Sequence, residues 1–204
     1  AVTTEEVAVT VNAVNDGPVA VDDANTLTTN HGVDVSDNHA HIDVGESAFD
    51  FTNEFTISVD VNATGPGIVF NKENSYEIAV ESDGSIRYAL NESSGSNTWI
   101  WNDTGYNLPM GEDHNVTFSY DGDSNTVNLY IDGVEVFEGS RNVPDSLANT
   151  NDSLKFGERG SNNQSLEGEI DNIQVYAKSL SADEVATISS GETISDGLVA
   201  HYDF

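Results

Sequence analysis

The sequence predicts an all-β sandwich of two antiparallel sheets with one short peripheral helix. Two observations carry this. From about residue 40 onward, strand-length apolar or alternating runs follow one another with short polar turns between them, and no repeated helical segments intervene. Between two of these runs stands Asp132-Gly133, a dipeptide that supplies the positive φ angles a type I′ hairpin turn requires. All-β domains of ~200–250 residues commonly form single units, so a chain of 204 residues suits one main domain.

Taken in order, the chain opens with the alternating run Val7-Ala8-Val9-Thr10-Val11, and Asn15-Asp16-Gly17-Pro18 ends it with turn chemistry. Strands are then predicted over 40–44, 55–61, 67–70, 76–80, 86–90, 98–101, 115–120, 126–131, 134–137, 154–157 and 170–176. A helix is predicted after Ser181, because Ser181-Ala182-Asp183-Glu184 has capping-box spacing and Val185-Ala186-Thr187-Ile188 follows.

Composition narrows the function. The chain has 36 acidic and 6 basic side chains, a formal charge of −30. Nucleic acid is excluded as a partner, since neutralising phosphates takes clustered Lys and Arg. Crowded Asp, Glu and Asn oxygens instead suit a hard divalent ion, so Ca²⁺ is the expected cofactor. The chain has no Cys, which removes disulfides and thiolate chemistry together. No apolar run approaches the ~18 residues of a membrane-spanning helix, and the first residues lack the pattern of a signal peptide; the chain reads as an internal excerpt of a larger extracellular protein.

Several groups of residues could carry a site. Trp99 and Trp101 flank Ile100, so in a strand both indoles project from one face, where they either stack on pyranose rings or pack into the core. Around them, Asn71, Lys72, Glu73, Asn74, Arg87, Asn102 and Asp103 form the expected rim; Lys72 and Arg87 stand out because cations are scarce, and either could pair with Glu73 or meet a ligand oxygen. Asp121-Gly122-Asp123-Ser124-Asn125 imitates half of a calcium loop but reads as a hairpin turn, and the five His residues show no zinc spacing.

Four blocks in order give the chain a family likeness. Phe55-Thr56-Ile57-Ser58-Val59, then His114 to Gly122, then Asn128-Leu129-Tyr130-Ile131-Asp132-Gly133-Val134, and finally Gly168 to Tyr176 with Leu180 to Val185 resemble the concanavalin A-like, laminin-G-type jelly roll. The closer likeness is to lectin-like modules of large bacterial RTX-type surface adhesins. That resemblance implies a calcium-dependent, carbohydrate-binding module outside the cell, attaching to glycans on host or microbial surfaces; the alternatives are a protein- or peptide-binding module and a structural spacer. It implies a glycan site at Asn71, Glu73, Arg87, Trp99, Trp101, Asn102 and Asp103.

The metal ligands follow from resemblance as well. The segment from Val11 to Asp23 is similar to the end of a cadherin-like repeat with an interdomain calcium linker, which implies ligation by Asp16, Asp22 and Asp23. In the jelly-roll family the position of Asp171 holds a structural Ca²⁺ with an early loop, here Asp37 and Asn38. Residues 1–23 are thus expected to end a preceding repeat, 24–190 to form the lectin-like domain, and 191–204 to be a closing strand or the start of a next module. The latter is preferred, because Gly197-Leu198-Val199-Ala200-His201-Tyr202-Asp203-Phe204 resembles the family's first strand. Glucanases of this fold carry Glu-x-Asp-x-x-Glu; here the corresponding stretch ends in Gln174, which cannot exchange a proton, so no enzyme activity is expected.

Overall fold

The computed structural model describes residues 32–37, 40–45, 49–93, 99–159 and 164–204. The expected strand at 7–11 and the expected ligands Asp16, Asp22, Asp23 and Asn38 lie outside the described residues.

Two antiparallel sheets face each other. The first is built on β12 (Gly168–Tyr176), flanked by β3 (Glu54–Ala63), which pairs with β8 (Asp113–Asp121), β9 (Thr126–Ile131) and β10 (Val134–Gly139) in turn. The opposite edge of β12 is shared end to end by β1 (Val33–Asp34) and β13 (Leu198–Tyr202). The second sheet runs β2 (Ile42–Asp43), β11 (Leu154–Phe156), β4 (Gly67–Lys72), β5 (Tyr76–Val80), β6 (Ser85–Leu90) and β7 (Ile100–Asn107).

Period-two alternation decides which side chains enter the space between the sheets. Phe55, Ile57, Val59 and Val61 from β3 meet Tyr76, Ile78 and Val80 from β5 there, and all are buried. Aromatic rings form the centre: Phe55 and Tyr76 lie 4.5 Å apart, and Phe118 touches Tyr88 at 5.5 Å. The turn at Asp132-Gly133 has φ angles of 52° and 75° and joins β9 to β10 with Ile131 opposite Val134, as the dipeptide required. The 121–126 loop is the predicted hairpin turn, with Asp121 Oδ1 accepting the backbone N–H of Asp123 at 2.9 Å.

The helix α1 (Ala182–Ile188) begins at Ser181 with both halves of the capping box formed. Its Val185 and Ile188 pack with Tyr130, Tyr176 and Leu180 on the outer face of the first sheet. Beneath it that face is a buried polar ladder, in which Thr56 Oγ1 donates to Lys178 O at 2.8 Å and accepts from the Leu180 N–H at 3.0 Å.

Leu198–Tyr202 pairs with Ile173–Tyr176 of β12, so this segment forms an edge strand of the present sandwich. Two expectations are corrected. The strand expected at 98–101 runs instead over Ile100–Asn107: Asn102-Asp103-Thr104-Gly105 looks like a turn in sequence, and Asp103 Oδ1 does accept the Gly105 N–H at 2.7 Å, but the pairing with β6 continues through it. Lys72, expected at a rim, is fully buried on the core side of β4, where its Nζ lies 2.9 Å from Asp50 Oδ1 and donates to Asp152 O at 2.6 Å.

Candidate functional site

Alternation on β4 to β7 sends Asn71, Glu77, Ala79, Arg87, Ala89, Trp101 and Asp103 to the outer face of the second sheet. The register lines them up: Asn71 opposes Glu77, Glu77 opposes Ala89, and Ala89 opposes Trp101, while Ala79 opposes Arg87 and Arg87 opposes Asp103. The central positions Asn71, Glu77, Ala79 and Ala89 are buried, while Arg87, Trp101 and Asp103 toward the edge strand keep partial or full exposure.

Trp99 and Trp101 sit at one edge of this face. Both are partly exposed and neither belongs to the core, so the core alternative does not hold. Their ring planes stand 86° apart with centroids at 6.2 Å. Each carries a guanidinium: Arg87 lies 5.5 Å from the Trp101 ring centre and Arg159 5.2 Å from that of Trp99, distances at which the quadrupole of an indole attracts a cation. Arg87 is held in turn by Glu81 at 3.0 Å. Arg159 forks onto Glu73, with Nε to Oε2 at 3.1 Å and Nη2 to Oε1 at 3.2 Å.

Below Arg159 lies Glu77. Its side chain is fully buried, Oε2 stands 3.3 Å from Arg159 Nε and accepts from Asn71 Nδ2, and Oε1 has no hydrogen-bond partner. Burial raises its pKa to about 7; the nearby Arg159 pulls it down and Glu73 pushes it up. This carboxyl therefore changes charge near neutrality.

Of the expected site residues, the structure brings Asn71, Glu73, Arg87, Trp99, Trp101 and Asp103 to this one face. Asn102 is not among them. It pairs with Tyr88, so alternation turns it to the other side, where Asn142 Nδ2 donates to its Oδ1 at 2.9 Å. Sequence reasoning missed Glu77 and Arg159. Arg159 was findable as one of only six cations, but its partner Glu73 is 86 positions away.

The outer face of the first sheet carries a second feature, a groove of about 620 Å³ lined by Asp60, Asp113, His114, Asp132, Glu169 and Asp171 among others. Burial raises the pKa of Asp60, against hydrogen bonds from Asn115 and Asn172, and Asp171 and Asp132 add to the rise. The expected ligands Asp171 and Asp37 are placed by the strands around this groove. Asp171 Oδ1 accepts the N–H groups of Asn172 at 2.7 Å and Phe204 at 3.0 Å. The chain passes Asp171 at Gly32, and since Asp34 opposes Glu169 and the Val35 N–H donates to Gly168 O, Asp37 lies beyond the far end of β12. Asp171 and Asp37 are therefore kept apart, and among the described residues no three His, Asp or Glu side chains come together as metal ligands. Gln174, at the end of the glucanase-like stretch, is sealed: it donates to Asn172 Oδ1 at 3.1 Å and accepts from the Tyr176 hydroxyl at 2.6 Å.

A family model described as the concanavalin A-like lectin/glucanases superfamily matches residues 34–186. The chain belongs to this superfamily. No curated protein sequence matches it. Solved structures of similar fold include a candidate carbohydrate-binding protein from Bacteroides ovatus, with 14% identity and a TM-score of 0.68 over 87% of this superfamily member and 52% of that chain. Domain 4 of an extracellular GH43 arabinanase from Geobacillus stearothermophilus, in complex with arabinotriose, shares 23% identity at a TM-score of 0.56, covering 73% and 72% of the two chains. The CBM40 of a Ruminococcus gnavus sialidase, bound to α2,3-sialyllactose, shares 15% at 0.59 over 78% and 96%. The present domain spans about half of the Bacteroides protein. At these identities the likeness is one of fold, and the fold hosts many functions.

Proposed function

We propose that this domain is a non-catalytic carbohydrate-binding module whose saccharide site is the outer face of the second sheet. One observation carries the reading: the only two Trp residues of the chain stand together, partly exposed, on one face of one sheet, each with a guanidinium over its ring. An indole face matches the apolar face of a pyranose, and the charged groups around it match hydroxyls. That neighbouring folds include a CBM40 and an arabinanase domain solved with sugars supports the same class.

The placement of both Trp residues at the site supplies its own assay. Titrating saccharides into the protein while following tryptophan emission, with Trp101→Ala and Trp99→Ala compared by calorimetry, tests the reading; binding is expected to change the emission and to be lost in at least one variant. A glycan array with uniform silence would sink it.

The wider setting we propose is a surface adhesin of a bacterium, with the module outside the cell and calcium shaping the chain. Support comes from the charge of −30, the absence of Cys and the Asp16, Asp22 and Asp23 segment. Calcium has no assigned part in contacting the sugar.

A further inference from the structure

The arrangement of the two indoles bears on what kind of saccharide the face accepts; this rests on the carbohydrate reading above. Ring planes that lie parallel and in line offer successive stacking surfaces to consecutive units of a long chain. Here the planes are 86° apart and the centroids only 6.2 Å apart, so one ring abuts the other edge-on and the pair forms a corner. A second unit of a linear chain stacked on the first indole would find no second surface parallel to it.

The corner is braced from both sides. Arg87 lies over Trp101 and is tied to Glu81 on the turn side of β5. Arg159 lies over Trp99 and is tied by two hydrogen bonds to Glu73 and by proximity to Glu77. Each guanidinium lies over an indole and is itself paired with a carboxylate, so an indole that turns gives up its cation–π contact.

Charge adds a second constraint. Both guanidinia are already engaged by carboxylates, and Asp103 stands directly opposite Arg87 on β7. Two cations face three acidic side chains, Glu73, Glu81 and Asp103, with Glu77 buried beneath them, on a chain whose formal charge is −30. A carboxylated sugar entering this corner would meet net repulsion and guanidinia that each already hold a carboxylate, whereas hydroxyl groups can share the existing donors and acceptors.

We propose that the Trp99–Trp101 corner takes a single terminal, neutral sugar unit of a glycan end-on, and not the length of a polysaccharide chain or an acidic sugar. Neutral oligosaccharides of two to six units from the cello-, manno- and arabino- series, together with lactose, are titrated against the protein by calorimetry and tryptophan emission. For each neutral ligand that binds, the counterpart terminated by a uronic or sialic acid is compared, such as α2,3-sialyllactose against lactose. The expected result is a dissociation constant that stays within about threefold from two to six units and a carboxylated counterpart that binds at least about tenfold more weakly. Affinity that climbs about tenfold or more with chain length overturns end-on recognition while leaving the carbohydrate reading in place. An acidic counterpart that binds as well or better overturns the neutral-sugar assignment in the same way. Absence of binding across all series overturns the carbohydrate reading and this inference with it.

Discussion

The guanidinium of Arg159 lies over the Trp99 ring, 5.2 Å from its centre, while its Nε stands 3.3 Å from the buried carboxyl of Glu77. One side chain thus joins an aromatic wall of the site to an acid under its floor. Replacing it by Ala is expected to cost on the order of 2–4 kcal/mol, because a buried carboxyl loses its counter-charge, and to shift tryptophan emission as Trp99 loses its brace. Arg159→Lys restores the charge without the planar fork and should recover part of the stability. Urea unfolding and emission spectra check both; unchanged emission in Arg159→Ala would reject the coupling.

Glu77 predicts a pH dependence with a definite sign. Its folded pKa is raised from 4.5 to about 7, so between these values the folded chain keeps a proton that the unfolded chain has released. Stability from this group is present in full below about pH 4.5 and declines as pH rises to about 7. Glu77→Gln should flatten that slope and stabilise the protein at pH 8 by on the order of 1–3 kcal/mol. Melting curves from pH 4 to 8 on both proteins make the comparison.

Glu184 should act in the opposite direction. Lys178 and the Ser181 cap hold its pKa at about 2, below the usual 4.5, so its contribution is present above about pH 4.5 and is lost as pH falls toward 2. Ser181→Ala removes the hydroxyl half of the capping box, while the backbone N–H of residue 181 still donates to Glu184 Oε2, and should cost about 1 kcal/mol, measured by urea unfolding at neutral pH.

Lys72 and Asp50 form an ion pair in which the lysine is wholly buried. Lys72→Ala is expected to cost on the order of 3 kcal/mol, leaving Asp50 without its partner and a cavity beside Tyr76. The double variant Lys72→Met with Asp50→Asn should lose much less. A thermodynamic cycle over the four proteins gives the coupling.

If calcium shapes the chain as proposed, millimolar Ca²⁺ should raise the melting temperature over an EDTA-treated sample, and Asp16→Asn with Asp22→Asn should remove that rise. Asp171→Asn should leave it intact, since its carboxylate serves backbone N–H groups. Equal melting with and without chelator would defeat the proposal.

The sheets were readable in the sequence wherever local chemistry decides structure. Period-two alternation marked β5 and β9 to the residue, and Asp-Gly and Ser-x-x-Glu marked a turn and a helix start through contacts at most three positions apart. Alternation also placed Trp99 and Trp101 on one face, and applied one step further along the strand it would have removed Asn102. It cannot say which of two adjacent polar residues faces inward, so Asn71 and Lys72 were not separable; a lysine in the core is the rarer outcome. The Glu73–Arg159 fork and the docking of Leu198–Tyr202 against β12 depend on contacts between distant segments, which no local pattern encodes.

The position of β13 has a practical consequence for anyone shortening this domain. The superfamily match ends at residue 186, and a fragment trimmed there would strip the backbone of Ile173–Tyr176 of its neighbour along one side. Such a bare margin becomes an unpaired edge of the first sheet, and an open edge recruits strands from other molecules. Trimmed preparations should accordingly precipitate or form higher-order species where the chain carried through Phe204 stays monomeric, which light scattering would register at once.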